Sequence, residues 1–165
     1  MTDSTSCAII QTEREKERNS KMRICFDMDG TIANLYGVEN WLDYLLANDP
    51  KPYEVAAPLF NMNSLARVLN RLQREGHQLV VISWLSKNSN PEYDAKVTEA
   101  KKAWLSKHLH SVRFDEINIV PYGFAKETFA HSVQDILFDD EEKNRTNWTG
   151  KAHDVHNIIN TLRHM

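Results

Sequence analysis

The sequence has few cysteines, glycines and prolines. Its 165 residues include two cysteines, five glycines and five prolines, and 41% of them are hydrophobic and 26% charged. This composition excludes collagen-like, mucin-like and fully disordered chains. With only Cys7 and Cys25, a disulfide framework is not expected, and a reducing, cytoplasmic setting suits the chain.

Long apolar runs and basic runs are also missing. No apolar run approaches the length of a transmembrane helix, and no apolar stretch follows a positively charged start, so neither membrane insertion nor export is predicted. The formal net charge is −3 at pH 7, and without a Lys/Arg-rich arm a nucleic-acid partner is not expected. We expect a single domain, as a monomer or a homodimer, that buries about two thirds of its unfolded surface.

Apolar and amphipathic segments alternate along the chain. Residues 1–21 are polar and charge-mixed and are predicted to be a flexible extension, so the folded core should span residues 22–165. Strands are predicted near 24–26, 79–82, 117–120, 136–138 and 152–155, and helices from Ser64 to Gly76, from Pro91 to about Leu109, and around Ile158–Leu162. This alternation predicts an α/β fold with a mainly parallel five-stranded sheet and helices on both of its faces.

The segment at about 34–62 is rich in aromatic residues and contains three prolines. Its apolar spacing predicts one helix followed by a proline-broken connection, which together would form a small cap inserted after the first strand. Trp41, Tyr44 and, at the end of the second predicted strand, Trp84 are candidate substrate contacts because their rings could stack on a base. A role in packing is the alternative for each of them.

Acids, hydroxyl groups and one lysine stand where the predicted strands end, which is the edge of an open α/β sheet that binds ligands. These residues are Asp27, Asp29, Thr31, Ser83, Lys126, Asp139 and Asp140. Four carboxylates in one place would repel one another unless a hard cation joined them, and an all-oxygen cluster selects Mg²⁺.

The same residues predict a two-step phosphoryl transfer. A carboxylate held in line with phosphorus can act as a nucleophile and form an aspartyl-phosphate, and Asp27 is the candidate. Asp29 can protonate the leaving oxygen and then take a proton from water. The Gly30-Thr31 turn can direct backbone N–H groups at the phosphate, and Ser83 and Lys126 can neutralise its charge.

Four motifs in this order resemble those of haloacid-dehalogenase (HAD) superfamily phosphatases. They are Asp27-Met28-Asp29-Gly30-Thr31, the apolar strand that ends in Ser83, Lys126, and Ile136-Leu137-Phe138-Asp139-Asp140. The resemblance implies a three-layer, Rossmann-like fold and a Mg²⁺-dependent phosphomonoesterase. It also implies that Asp27, the backbone carbonyl of Asp29 and Asp139 hold the metal, with Asp140 assisting, and that Asn144 braces the acidic loop.

A narrower likeness is carried by Glu99-Ala100-Lys101-Lys102-Ala103-Trp104-Leu105 and the following His108-Leu109. It resembles the 5′-deoxyribonucleotidase-like branch, which implies a (deoxy)nucleoside monophosphate as substrate. Two other functions stay open. One is a catalytically silent protein that sequesters a nucleotide, and the other is a phosphatase that acts on polynucleotide ends.

Overall fold

Strands and helices alternate through residues 21–88 and 90–165, the part of the chain that the computed structural model describes. The predicted flexible extension therefore lies outside the described residues, apart from Lys21, and so does Cys7. The strands are β1 (Arg23–Phe26), β2 (Ala33–Asn34), β3 (Ala57–Pro58), β4 (Gln78–Trp84), β5 (Glu116–Val120), β6 (Ile136–Phe138) and β7 (Lys151–His153). The α-helices are α1 (Trp41–Leu46), α2 (Lys51–Val55), α3 (Met62–Arg74), α4 (Pro91–His108), α5 (Glu142–Asn147) and α6 (Ile158–Arg163), and 3-10 helices cover Leu35–Gly37 and Lys126–Phe129.

Five strands form one parallel sheet in the order β5-β4-β1-β6-β7. The predicted α/β class and the five-stranded parallel sheet are confirmed. The connections run outward from β1 on one side and from β6 on the other, so the switch in strand order falls between these two neighbours. Their register pairs Phe26 with Phe138, and the Asp27 amide donates to the Phe138 carbonyl at 2.9 Å. The residues that follow the two strands, Asp27 and Asp139, therefore begin side by side.

The side chains of the central strands alternate between two faces of the sheet. One face packs against α3, α4 and α6 through Ile24, Phe26, Leu79, Val81, Leu69, Trp104 and Leu162. The opposite face is covered by the 3-10 helix at Lys126–Phe129 and by Trp148, and its core residues are Cys25, Val80, Ile82 and Leu137. Helices therefore cover both faces, as predicted, but α3, α4 and α6 pack on the first face and a 3-10 helix packs on the second. The connections from β1 to β4 and from β4 to β5 step in one direction, and α3 and α4 both pack on the first of these faces.

Asparagine side chains start the two longest helices. The Asn61 Oδ1 accepts from the Ser64 amide at 3.0 Å, so α3 begins at Met62, slightly before the predicted start. The Asn90 Oδ1 accepts from the Tyr93 amide at 3.0 Å, and Pro91 occupies the first turn, as predicted. Within the described residues, no helix combines the length and apolar character needed to cross a membrane.

The cap segment differs from its prediction. Two short helices, α1 and α2, replace the single predicted helix, because Pro52 lies in the first turn of α2 and begins it instead of breaking it. The strands β2 and β3 pair antiparallel at the base of the insert. α2 is held to α4, since Tyr53 shares a buried cluster with Tyr93 and Val97.

A second difference lies after β6. The sequence predicts a polar loop there, whereas the structure has helix α5, whose only buried residue is Asn144. A helix without an apolar stripe gives no periodic signal in the sequence. The last strand, β7, also ends two residues before its predicted end.

Candidate active site

The carboxyl ends of β1 and β6 bring two aspartates onto one lysine. Lys126 Nζ donates to Asp27 Oδ1 at 2.8 Å and to Asp139 Oδ2 at 2.7 Å. The Lys126 and Asp139 side chains are 1% exposed and that of Asp27 is 8% exposed. Burial lowers the pKa of Lys126, but the two carboxylates outweigh it and raise the pKa above its ordinary value. The ammonium is therefore charged, and it bridges the nucleophile candidate and a metal-ligand candidate.

A second lysine holds Asp29, and it is absent from the predicted site residues. Lys101, on α4, donates from Nζ to Asp29 Oδ2 at 2.5 Å, to Ser83 Oγ at 2.7 Å and to the Trp84 carbonyl at 2.7 Å. Its side chain is 1% exposed. Burial raises the pKa of the Asp29 carboxyl while the Lys101 charge opposes the rise, and the net shift is upward. A carboxyl with a raised pKa suits proton donation.

The backbone amides of Gly30 and Thr31 are predicted to face a phosphate, but in the structure they form hydrogen bonds within the turn after β1. The Gly30 amide donates to the Ala33 carbonyl at 2.8 Å and the Thr31 amide to the Met28 carbonyl at 3.1 Å, so both donors are used within the turn. Gly30 has φ +77°, and a Cβ there would lie 2.3 Å from Asp140 Oδ2. The position therefore requires glycine so that the late acid can approach the turn.

The Thr31 hydroxyl braces two aspartates instead. It donates to Asp27 Oδ2 at 3.2 Å and accepts from the Asp140 amide at 3.2 Å. Ser83 is fully buried and is not part of the lining of the cavity described below, and its role as a phosphate ligand stays a prediction. Its oxygen accepts from Lys101.

The loop after β6 is fixed by several donors. Asp139 Oδ1 accepts from the Glu141 amide at 2.9 Å and Oδ2 accepts from Asn144 Nδ2 at 3.1 Å, so Asn144 contacts the first acid of this loop. Arg145 Nη1 donates to the backbone carbonyls of Asp139 at 2.9 Å and of Asp140 at 2.7 Å. Arg145 is a second residue that the sequence did not single out as part of the site.

Three acids are close enough to share a cation. One carboxylate oxygen from each of Asp27, Asp139 and Asp140 lies within 4.8 Å of the others. Through residues 21–88 and 90–165, no side chain donates a hydrogen bond to the Asp140 carboxylate. Burial, followed by the charges of Asp27 and Asp139, raises the pKa of Asp140 to about 7. A set of three carboxylates that offers only oxygen atoms fits a hard cation such as Mg²⁺.

A cavity of about 330 Å³ opens above these acids. Its floor includes Asp27, Asp29, Lys126, Asp139 and Asp140, and its walls include Leu35, Tyr36, Trp41, Leu42, Leu45, Leu46, Tyr53, Trp84, Leu85 and Tyr122. A few polar groups beneath mostly apolar walls are typical of small-molecule sites.

The three predicted aromatic contacts have different positions. Trp41 and Trp84 line the cavity. Trp84 is held in place because its Nε1 donates to the Phe124 carbonyl at 3.0 Å, and its ring lies 5.0 Å from Lys126 Nζ. Tyr44 does not line the cavity, and its hydroxyl accepts from Lys51 Nζ at 3.1 Å. Tyr44 therefore lies outside the cavity, where its hydroxyl and its ring both contact Lys51.

Comparison with solved structures finds a likeness in fold, whereas comparison by sequence finds none. No protein-family profile matches the chain, and no curated protein matches it. The crystal structure of D,D-heptose 1,7-bisphosphate phosphatase from Burkholderia thailandensis is similar, with a TM-score of 0.47 and 15% sequence identity over 76% of this chain and 70% of that one.

Proposed function

We propose that the protein is a Mg²⁺-dependent phosphomonoesterase of the HAD type that hydrolyses a small phosphorylated metabolite, specifically a (deoxy)nucleoside monophosphate. The observation that carries the proposal is the pair Asp27 and Asp29, held on two separate buried lysines at the floor of one cavity. Two carboxylates in different surroundings can divide the roles of nucleophile and proton carrier.

In the first step, an Asp27 carboxylate oxygen attacks phosphorus and the bond from phosphorus to the leaving oxygen breaks. Lys126 and the Thr31 hydroxyl each bind one oxygen of Asp27, which limits its rotation before attack. The Asp29 carboxyl gives its proton to the leaving oxygen.

In the second step, the Asp29 carboxylate takes a proton from a water molecule. That water attacks phosphorus, and the bond to Asp27 breaks to release inorganic phosphate. Lys126 balances charge on the phosphoryl oxygens throughout.

Asp27, Asp139 and Asp140 are the residues that would hold Mg²⁺, together with the Asp29 backbone carbonyl that the resemblance implies. The ion, when bound, supplies positive charge against the acids and the phosphate oxygens.

Support for a nucleoside as the leaving group comes from the cavity walls. Trp41, Trp84, Tyr36 and Tyr122 offer flat apolar surfaces to a base. The described cavity lining contains two cations, Lys87 and Lys126, and Lys126 is already bonded to carboxylates. A second phosphate would therefore have Lys87 as its counter-charge against five acids of the lining, so monophosphates should react faster than diphosphates or bisphosphates.

Phosphate release from a panel of nucleotides, sugar phosphates and an aryl phosphate, with Mg²⁺ and with EDTA, tests the proposal. We expect Mg²⁺-dependent turnover with nucleoside monophosphates as the best substrates. Asp27→Asn should lower kcat at least about 10³-fold, since the nucleophile is lost. Asp43→Asn makes the same change at an exposed position of α1 that does not line the cavity, and it should retain activity.

Two results would contradict the proposal. If Asp27→Asn turned over substrate as fast as the Asp43→Asn control, Asp27 would be excluded as the nucleophile. Stoichiometric capture of a nucleotide without phosphate release would instead establish the sequestering protein.

A further inference from the structure

Lys101 has contacts that the predicted mechanism does not use. We propose that Lys101 is a positioning residue that holds the Asp29 carboxylate in place for proton transfer, and that Ser83 serves to fix this lysine rather than to bind phosphate. The inference rests on the proposed function in that Asp29 is taken as the proton carrier.

The hydrogen-bond count at Lys101 limits what it can do. An ammonium has three hydrogens, and the three acceptors around Nζ are Asp29 Oδ2, Ser83 Oγ and the Trp84 carbonyl. All its donors are used by the protein itself. Lys101 therefore acts on the reaction through Asp29, without a donor left for the substrate.

The backbone of Lys101 is held in place by core packing, just as its ammonium group is held by hydrogen bonds. It lies on the buried side of α4, four residues after Val97 and three before Trp104, and both of these are in the core. The ammonium also lies 5.0 Å from the Tyr53 ring centroid, so the cap contributes a cation–π contact. A long, flexible side chain is thus held at both ends.

Ser83 supports the lysine rather than the substrate. Its side chain is fully buried, outside the cavity lining. It accepts from Lys101 at 2.7 Å, at the end of β4 where the neighbouring Trp84 carbonyl gives the second anchor. The two β4 groups therefore fix Nζ, and Nζ fixes one oxygen of Asp29. The other oxygen is left for the leaving group.

Steady-state kinetics with the best substrate, together with direct binding of inorganic phosphate, tests this chain of contacts. Lys101→Met should lower kcat about 100-fold, the cost of a misplaced catalytic group, while KM and the Kd for phosphate stay within about twofold of wild type. Ser83→Ala should show the same pattern more weakly. Lys101→Arg, which keeps the charge, should recover part of kcat, and Lys102→Met, an exposed neighbour on α4, is the matched control.

The double variant separates the two roles of Ser83. If Ser83 acts through Lys101, adding Ser83→Ala to Lys101→Met should cost no further activity. Additive losses, or a Kd for phosphate that rises about tenfold in Ser83→Ala, would overturn the inference and return Ser83 to phosphate binding. An unchanged kcat in Lys101→Met would overturn it as well.

A measurement without turnover distinguishes failure of this inference from failure of the proposed function. In thermal unfolding, Lys101→Met should lower Tm, and adding Asp29→Asn should recover most of the loss because the unpaired carboxylate is gone. If the wild-type protein releases no phosphate, the proposed function fails. If the two Tm changes simply add, Lys101 does not hold Asp29 and the inference fails.

Discussion

Replacing Lys126 by methionine removes the cation between two buried carboxylates. Lys126 Nζ lies 2.8 Å from Asp27 and 2.7 Å from Asp139, and its side chain is 1% exposed. Removing one partner of a buried ion pair costs about 3–5 kcal/mol, because the charge that stays behind is no longer compensated. For a domain of this size each kcal/mol changes Tm by about 2–4 °C, so Lys126→Met should lower Tm by about 6–20 °C.

Thermal unfolding in EDTA, followed by fluorescence, measures this loss. Lys102→Met makes the same substitution at an exposed position and should leave Tm close to wild type. Added Mg²⁺ should raise the Tm of Lys126→Met more than that of wild type, because the acid cluster then lacks its internal cation and binds the ion more tightly. A Lys126→Met protein with the same Tm in EDTA as Lys102→Met would refute the reasoning. It would mean that the two carboxylates are not stabilised by the lysine.

Two further predictions concern stability at positions outside the cluster of Asp27, Asp139 and Asp140. Arg23 Nη1 and Nη2 bind Glu116 at 2.8 and 2.9 Å, and this hydrogen bonding lowers the pKa of Glu116 from 4.5 to about 2. The contribution to folding stability is therefore complete above pH 4.5 and is lost as the pH falls toward 2. In urea unfolding, the stability difference between wild type and Glu116→Gln should shrink over that range, and a constant difference would contradict the assignment. At Gly150, a Cβ would lie 2.0 Å from the Asp135 carbonyl oxygen, so Gly150→Ala should lower the free energy of unfolding by about 1–3 kcal/mol. Thr149→Ala, next to it and exposed, is the control, and equal stabilities would show that the backbone moves aside.

The sequence predicts the sheet well because each central strand is a short apolar run that ends in a polar residue. Asp27 and Asp139 follow two such runs, and neighbouring parallel strands bring their ends together. The parallel sheet and the meeting of these acids could therefore be read from the sequence. The contacts of Lys126 with both acids and of Lys101 with Asp29 could not, because they depend on side-chain packing between distant segments.

The sequence does contain an indication that Lys101 is buried against an acid, although the apolar periodicity of α4 alone does not show it. Lys101 falls on the same stripe as Val97 and Trp104, and a lysine on a buried stripe requires a partner with negative charge. Arg145 and Asn144 lie on a polar helix without such a stripe, so spacing gives no indication of α5. Pro52 is compatible both with a broken connection and with the first turn of a helix, and only tertiary packing decides between them.

The cap and helix α4 are joined by two hydrogen bonds and one cation–π contact. Trp104 Nε1 donates to the Ala56 carbonyl at 2.7 Å, the Tyr93 hydroxyl donates to the Asp49 carbonyl at 3.3 Å, and Lys101 lies over the ring of Tyr53. A designer who exchanged the cap would therefore have to graft the inner surface of α4 with it. The helix that receives the new cap also carries Lys101, which contacts Asp29, so a change of cap would alter the surroundings of Asp29 as well.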